Sequence, residues 1–468
     1  MANNATTTRR RLHANNKRNK HATPWASARV DRDSRRVVIA RSSNAPTPDE
    51  SRSDLWSALT DAVSNQRWVG EVLAPWMEGP PRPVVDTVPR RALADLDAHF
   101  ADVEGIDVHY KARFPLRGDA RDGTSTVTAG TMAETQWAGE RDNDLVYVVC
   151  FHGFNGSEFS FRHLLPAIAD DEHFNAAGVA FDRPPFGLTE RPRPGNEEAE
   201  SLYSVPGSSR IAQGLLRHID GSHADTGRSG GQGPTTADAS AHHTRRRVVL
   251  VGHSAGAPCA VRTALDLADS PDFDVAGVVL VAPALNLAGS GGAGDDPKNT
   301  SALPSKLDAG QLLRFAYARA LLAVPGVNAN FVRRSLNERR ERAWRDRDIY
   351  SESAGQTPMD VVLGYTKPLA ADGWDTGALP YFRNTDFTSA ESNPDPAQLP
   401  ARTPILVVHG SEDGTVAPSV GRGVVERLRA NGFDDATYEE LSGIGHLPME
   451  THPTPFHAVV LPFLRRIL

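Results

Sequence analysis

Residues 248–268, VVLVGHSAGAPCAVRTALDLA, decide the fold. A short apolar run rich in valine leads into Gly252-His253-Ser254-Ala255-Gly256, and an Ala/Leu-rich segment with helical character follows. A buried strand that turns sharply into a helix is the setting in which a G-x-S-x-G serine becomes a nucleophile. Gly252 and Gly256 are expected to make room for the turn, because side chains there would strike neighbouring backbone. The turn would lift the Ser254 hydroxyl clear of the sheet. There the Ala255 N–H and the helix dipole would face a developing oxyanion. The pentapeptide alone would be equally compatible with a plain tight turn; the flanking strand and helix make Ser254 the expected nucleophile.

A serine hydroxyl is a weak nucleophile at neutral pH and needs a base oriented by a third group. Downstream, residues 405–413 read ILVVHGSED, a strand closed by glycine and followed by acids. A carboxylate there would lie at the carboxyl end of the sheet, on the same side as the serine. Asp413 is the expected acid, with the adjacent Glu412 as the alternative. The preceding strand ends in Val281-Ala282-Pro283-Ala284, with no acid nearby. The base should stand on a late loop, and LSGIGHLP (441–448) supplies His446 on a glycine-rich segment. His452 and His457 lie further on, in the final helical stretch. A second oxyanion donor is expected from the Phe154 N–H, in CFHGFNG (150–156) after the strand at 145–150. His152 in that segment reads as structural, since no second base is required.

Outward from these motifs, apolar runs at 145–150, 177–181, 248–251, 275–281 and 405–408 alternate with helical patterns. Val- and Ile-rich strands separated by helices imply a mostly parallel sheet covered on both faces. Residues 107–113 read as an early antiparallel strand, and 53–78 as a helix stopped by Pro80-Pro81. Segments 117–143 and 220–244 are rich in Gly, Ser, Thr, Asp and Arg, a composition expected of disordered loops, and 289–301 is similar. The organisation expected is a basic targeting segment (1–50), a helical extension (51–99), a core in two parts (100–285 and 396–468) and a helical cap (286–395) between them.

Charge is distributed unevenly. Residues 1–48 hold eleven Lys/Arg against Asp31 and Asp33; with a chain total of −7, the remainder stands at −16. An acidic body argues against a nucleic-acid partner. The first thirty residues are acid-free, Arg-rich and hydroxylated, the composition of an organelle transit peptide, chloroplast or alternatively mitochondrial. No apolar run is long enough to span a bilayer, so at most peripheral membrane contact is expected. The two cysteines, Cys150 and Cys259, sit in apolar stretches and read as reduced core thiols, and no Cys/His cluster has metal spacing.

Together with FHGFNGSEFSFRHLLPAIA (151–169), AFDRPPFGLTERP (180–192), VVLVAPAL (278–285) and GYTKPLAADGWD (364–375), these motifs resemble the α/β-hydrolase superfamily, more narrowly its plant and algal plastid members. The resemblance runs from about residue 100 onward; Asn155-Gly156 departs from the Gly-Ala usual in relatives. It implies an α/β-hydrolase fold: an eight-stranded, mostly parallel sheet with helices on both faces and an inserted helical cap. It also implies ester hydrolysis through Ser254, His446 and Asp413 on a small-molecule ester, without metal or organic cofactor, and the apolar and aromatic residues of the cap, as a roof over the serine, favour an apolar acyl or aromatic substrate. Phe186, Tyr365 and Trp374 are the expected substrate-side residues, although Asp182-Arg183-Pro184-Pro185-Phe186 also reads as scaffolding. An epoxide hydrolase or dehalogenase would need an aspartate in place of Ser254. An acyltransferase or thioesterase would keep the same three residues, and a receptor on this fold is the alternative outside catalysis. Oligomeric state is left open.

Overall fold

In the computed structural model the described residues are 88–115, 144–192, 195–221, 245–285, 358–384 and 389–468. The basic leader, the helix expected over 53–78, nearly all of the 117–143 and 220–244 segments, and 286–357 of the expected cap lie outside them.

Eight strands form one sheet: β1 (His99–Val103), β2 (Ile106–Arg113), β3 (Val146–Phe151), β4 (Ala176–Phe181), β5 (Arg246–His253), β6 (Phe273–Val281), β7 (Ile405–Gly410) and β8 (Ala436–Leu441). Their spatial order is β1-β2-β4-β3-β5-β6-β7-β8. β1 pairs antiparallel with β2 and β2 with β4, while the rest of the sheet is parallel. Every residue of β3, β4 and β7 is buried, which is why these strands read as continuous apolar runs. Successive residues of β5 feed opposite layers, Val248 and Leu250 one face, Val249 and Val251 the other.

On the first face lie α2 (Val205–Ile219), α3 (Ala257–Leu267) and α6 (Pro418–Ala430); on the second lie α1 (Leu164–Ala169) and α7 (Pro453–Ile467). The Ser204 side chain caps α2 by accepting from the Gly207 N–H, and Ile211, Ala212, Leu215 and Leu216 form its buried stripe. Each fully buried Val or Leu in these layers contributes about 1.5–3 kcal/mol before ordering entropy is charged against it.

Two strands escaped sequence reading. β1 is a short edge strand joined to β2 by a two-residue turn, Glu104-Gly105, both at positive φ (56° and 71°). β8 is the opposite edge and exposes Glu439 and Glu440, so it presents no apolar run.

Between the paired strands β6 and β7 the chain makes its long insertion. Where it is described it is helical: α4 (Pro358–Thr366), a turn of 3₁₀ helix at Lys367–Ala370, and α5 (Ala378–Asn384). Leu369, Ala371, Trp374, Ala378 and Tyr381 of the insertion pack with Phe186, Leu188 and Tyr203 of the core. No helix among the described residues is long and apolar enough to cross a membrane.

Candidate active site

β5 delivers Ser254 to the turn at the head of α3, with the serine itself at φ +51°. A non-glycine residue held there is strained, and the surrounding packing must enforce it. The two glycines of the motif make the turn possible. A Cβ on Gly252 would lie 2.6 Å from the Ala257 Cα, and one on Gly256 would lie 2.2 Å from the Phe151 carbonyl oxygen. The elbow is thus pressed directly against the end of β3.

Ser254, His446 and Asp413 converge from three separate segments. Nε2 of His446 stands 3.0 Å from Ser254 Oγ, and its Nδ1 stands 2.7 Å from Asp413 Oδ2. Asp413 Oδ1 accepts from the Thr415 and Val416 N–H groups at 2.8 and 2.9 Å. Burial would raise the Asp413 carboxyl, but hydrogen bonds from His409, His446 and the Val416 N–H outweigh it and hold the group well below the usual carboxylate range. Glu412 is exposed and contributes only its main chain here, its N–H donating to the Ile444 carbonyl oxygen. That bond, with Ser411 N–H to Leu441 O, ties the loop after β7 to the loop after β8.

His446 is anchored by its own backbone as well. Its carbonyl oxygen accepts from Nε2 of His253, the residue before the serine, at 2.9 Å. Burial, together with the nearby His446, pushes His253 down to about 3, so it serves as a neutral donor. Behind His446, Glu450 pairs with Arg162 at 3.3 Å, both side chains buried, which joins the base loop to the segment after the Phe154 turn.

The expected oxyanion loop lies against the serine: a Cβ on Gly153 would meet Ser254 Cβ at 3.1 Å. Its turn is closed by Gly156 N–H to Gly153 O at 3.1 Å and by His152 Nδ1 to the same oxygen at 2.8 Å, neither of which uses the Phe154 amide. Ala255 follows the serine in the elbow turn. His152 is scaffold. Its Nε2 accepts from the Arg183 N–H at 2.9 Å, which places its proton on Nδ1. The buried Arg183 guanidinium grips the His152 carbonyl oxygen through Nε (3.1 Å) and Nη2 (2.7 Å), and its Nη1 reaches Cys259 Sγ on α3 at 3.0 Å. One side chain therefore clasps the loop after β3 to the helix that follows Ser254. Its neighbour Asp182 accepts from the Glu158 and Leu188 N–H groups at 2.7 and 2.6 Å and pairs with His109 at 2.7 Å.

The expected substrate-side residues separate. The Phe186 ring lies 5.4 Å from that of Phe154, which is 42 % exposed, and 5.0 Å from Tyr381. Phe382 lies 5.4 Å from Phe154, so these four rings form one aromatic wall beside the Phe154 turn. Trp374 is buried behind it, in the cluster that holds Phe186 and Tyr381. Tyr365 is buried elsewhere, with Val361 and Phe159. Sequence reading missed Tyr381, Phe382, His253 and His409. The two aromatics lie in the insertion, with no local signal tying them to the site, and both histidines precede motif residues that drew the attention.

Fold and site together define the class. Residues 148–459 match the sequence model of the alpha/beta hydrolase family, and the chain belongs to that family. Among individual proteins it is similar to YugF, an uncharacterised hydrolase of Bacillus subtilis, with 24% identity over 320 residues, covering 68% of this chain and 89% of that one. Among solved structures it is similar to a bromoperoxidase from Bacillus anthracis (16% identity, TM-score 0.45, 79% of this chain and 99% of that one). A thermophilic esterase from Thermogutta terrifontis is also similar (13% identity, TM-score 0.45, 79% and 98%).

Proposed function

We propose that this protein is a serine hydrolase that cleaves a carboxylic ester through an acyl-enzyme on Ser254. The observation that supports this best is the unbroken path from Ser254 Oγ through His446 to Asp413, at 3.0 and 2.7 Å, starting from a serine at positive φ. In this reading His446 Nε2 takes the hydroxyl proton as Oγ attacks the ester carbonyl, then delivers it to the departing alcohol. Asp413 keeps the imidazole proton on Nδ1 and faces the imidazolium. The Phe154 and Ala255 N–H groups receive the oxyanion. Water then attacks the acyl-enzyme, giving its proton to His446, which returns it to Ser254. The aromatic wall of Phe154, Phe186, Tyr381 and Phe382 supports an apolar acyl or aromatic substrate. The scheme calls for no metal or organic cofactor, and its partner is a small-molecule ester.

A fluorophosphonate should label the protein at Ser254, and Ser254→Ala should lose both labelling and turnover of p-nitrophenyl esters. Labelling at another serine would overturn the assignment. Labelling without ester turnover would shift the reading towards acyl transfer or thioester cleavage. We propose also that residues 1–50 address the chain to a chloroplast, from their acid-free, Arg-rich start. A fusion of residues 1–60 to a fluorescent reporter should enter plastids, and a purely cytosolic signal would contradict this.

A further inference from the structure

We infer that His409 is a positioning residue for this reaction, donating from Nε2 to the same Asp413 oxygen that receives His446. The inference rests on the triad reading above. His409 Nε2 lies 3.1 Å from Asp413 Oδ2, and both side chains are wholly inaccessible to solvent. With His446 on Oδ2 and two amides on Oδ1, His409 is the fourth donor to this carboxylate. Four donors fill the capacity of a carboxylate. The terminal torsion of an aspartate is soft, and at side chains closed to solvent each donor lost lets the group rotate. An acid that rotates no longer aims His446 at Ser254.

His409 is itself held for this purpose. Its backbone runs in β7 beside Glu440 of β8. Its Nε2 also faces the Val416 carbonyl oxygen at 3.0 Å, so two acceptors place the proton on that nitrogen. Its Nδ1 is buried without a partner and backs onto Gly421 of α6, where a Cβ would come within 2.7 Å. A buried ring nitrogen without a partner is a loss that an apolar side chain would avoid. What the ring offers in exchange is its contact with Asp413.

The contact has a signature in pH. A donor on Oδ2 draws charge away from the oxygen that faces His446. Without it, and with the carboxylate free to rotate, the charge that faces the imidazole changes, so the acidic limb of the reaction should move. Around this unit the other titratable groups are His253 on the far side of His446, Tyr438 against Gly421, and the exposed Glu412 and Glu440. Buried His253, held down to about 3, stays neutral throughout the range tested.

The rate of fluorophosphonate labelling at Ser254 needs no knowledge of the natural substrate. It would be measured on the full chain between about pH 5 and 9 for wild type, His409→Leu, His409→Asn and His409→Gln. Leu lacks the donor and Asn is too short to reach Asp413, whereas Gln presents an N–H at nearly the reach of Nε2. The Leu and Asn variants should label about tenfold more slowly at neutral pH, with the acidic limb displaced from that of wild type. The Gln variant should recover most of both. Wild-type rate and limb in Leu or Asn, or Gln as impaired as Leu, would overturn the inference while the triad stood. A wild type that does not label at Ser254 would remove the triad and this inference together.

Discussion

At the residue scale, adjacent carboxylates have opposite fates. Asp413 is buried beneath His446 and accepts hydrogen bonds on both oxygens, while Glu412 turns its side chain to solvent. Asp413→Asn removes the negative partner of the imidazolium, and because two backbone N–H groups hold the oxygen at the Oδ1 position, it turns an NH2 donor towards His446 Nδ1. Its kcat should fall roughly 10³-fold or more with the fold intact. Glu412→Gln changes only an exposed charge, whose field is screened, and should alter kcat by less than about tenfold. The two should be compared at equal foldedness, checked by thermal melting. An inactive Glu412→Gln beside an active Asp413→Asn would reverse the assignment.

At the scale of elements, the site is a junction of the β5–α3 elbow, the loop after β3 and the loops after β7 and β8. Their registry depends on close backbone approach. Gly256 is among the tightest points, because its Cα faces the carbonyl oxygens of Phe151 and His152, to which an added Cβ would stand 2.2 and 2.7 Å. Those contacts are backbone, so no rotamer change relieves them. Gly256→Ala must therefore separate α3 from the end of β3, moving the Ala255 amide away from the Phe154 turn. The expected cost is about 1–3 kcal/mol of stability and at least a hundredfold loss of labelling rate at Ser254. Unfolding in urea and labelling kinetics measure the two separately, and a variant that labels normally would mean that the turn has slack. Arg183 bridges the same junction from beneath, linking the His152 carbonyl to Cys259.

At the scale of the whole molecule, two apolar layers enclose the sheet, and the second buries imidazoles. His163 stands just before α1 and His457 lies in α7, and the Nε2 of each is buried without a partner. Burial pushes both down to about 4 from an ordinary 6.5, His163 further lowered by Arg162 and His457. Between those values the unfolded chain binds protons that the native state refuses, so these groups cost stability as pH falls from 6.5. Glu158 acts in the opposite sense, since burial lifts its carboxyl to about 7 against the pull of Lys111 and His109. A comparison of variants separates them. His457→Leu removes one of the disfavoured protons, so its melting temperature should improve relative to wild type as pH is lowered from 7 to about 5. A difference that stays constant with pH would show that His457 titrates in the fold as it does in the unfolded chain.

By itself the sequence determined the class of fold and pointed to Ser254, Asp413 and His446 as the residues to bring together, in that order along the chain. Each of these is written in local pattern: strand, turn and helix are contiguous, and buried parallel strands are apolar throughout. The edges of the sheet were not legible, since β1 and β8 alternate or expose charge and so lack that signature. Local pattern favoured Asp413 over the adjacent Glu412, but it could not show which side chain the β7 loop turns inward. The inward turn of Asp413, the second histidine on its carboxylate and the aromatic wall beside the Phe154 turn were decided by tertiary structure alone. Each depends on side chains far apart in sequence, His446 lying 192 residues from Ser254 and 33 from Asp413, meeting at distances that only the closed sheet and its loops impose.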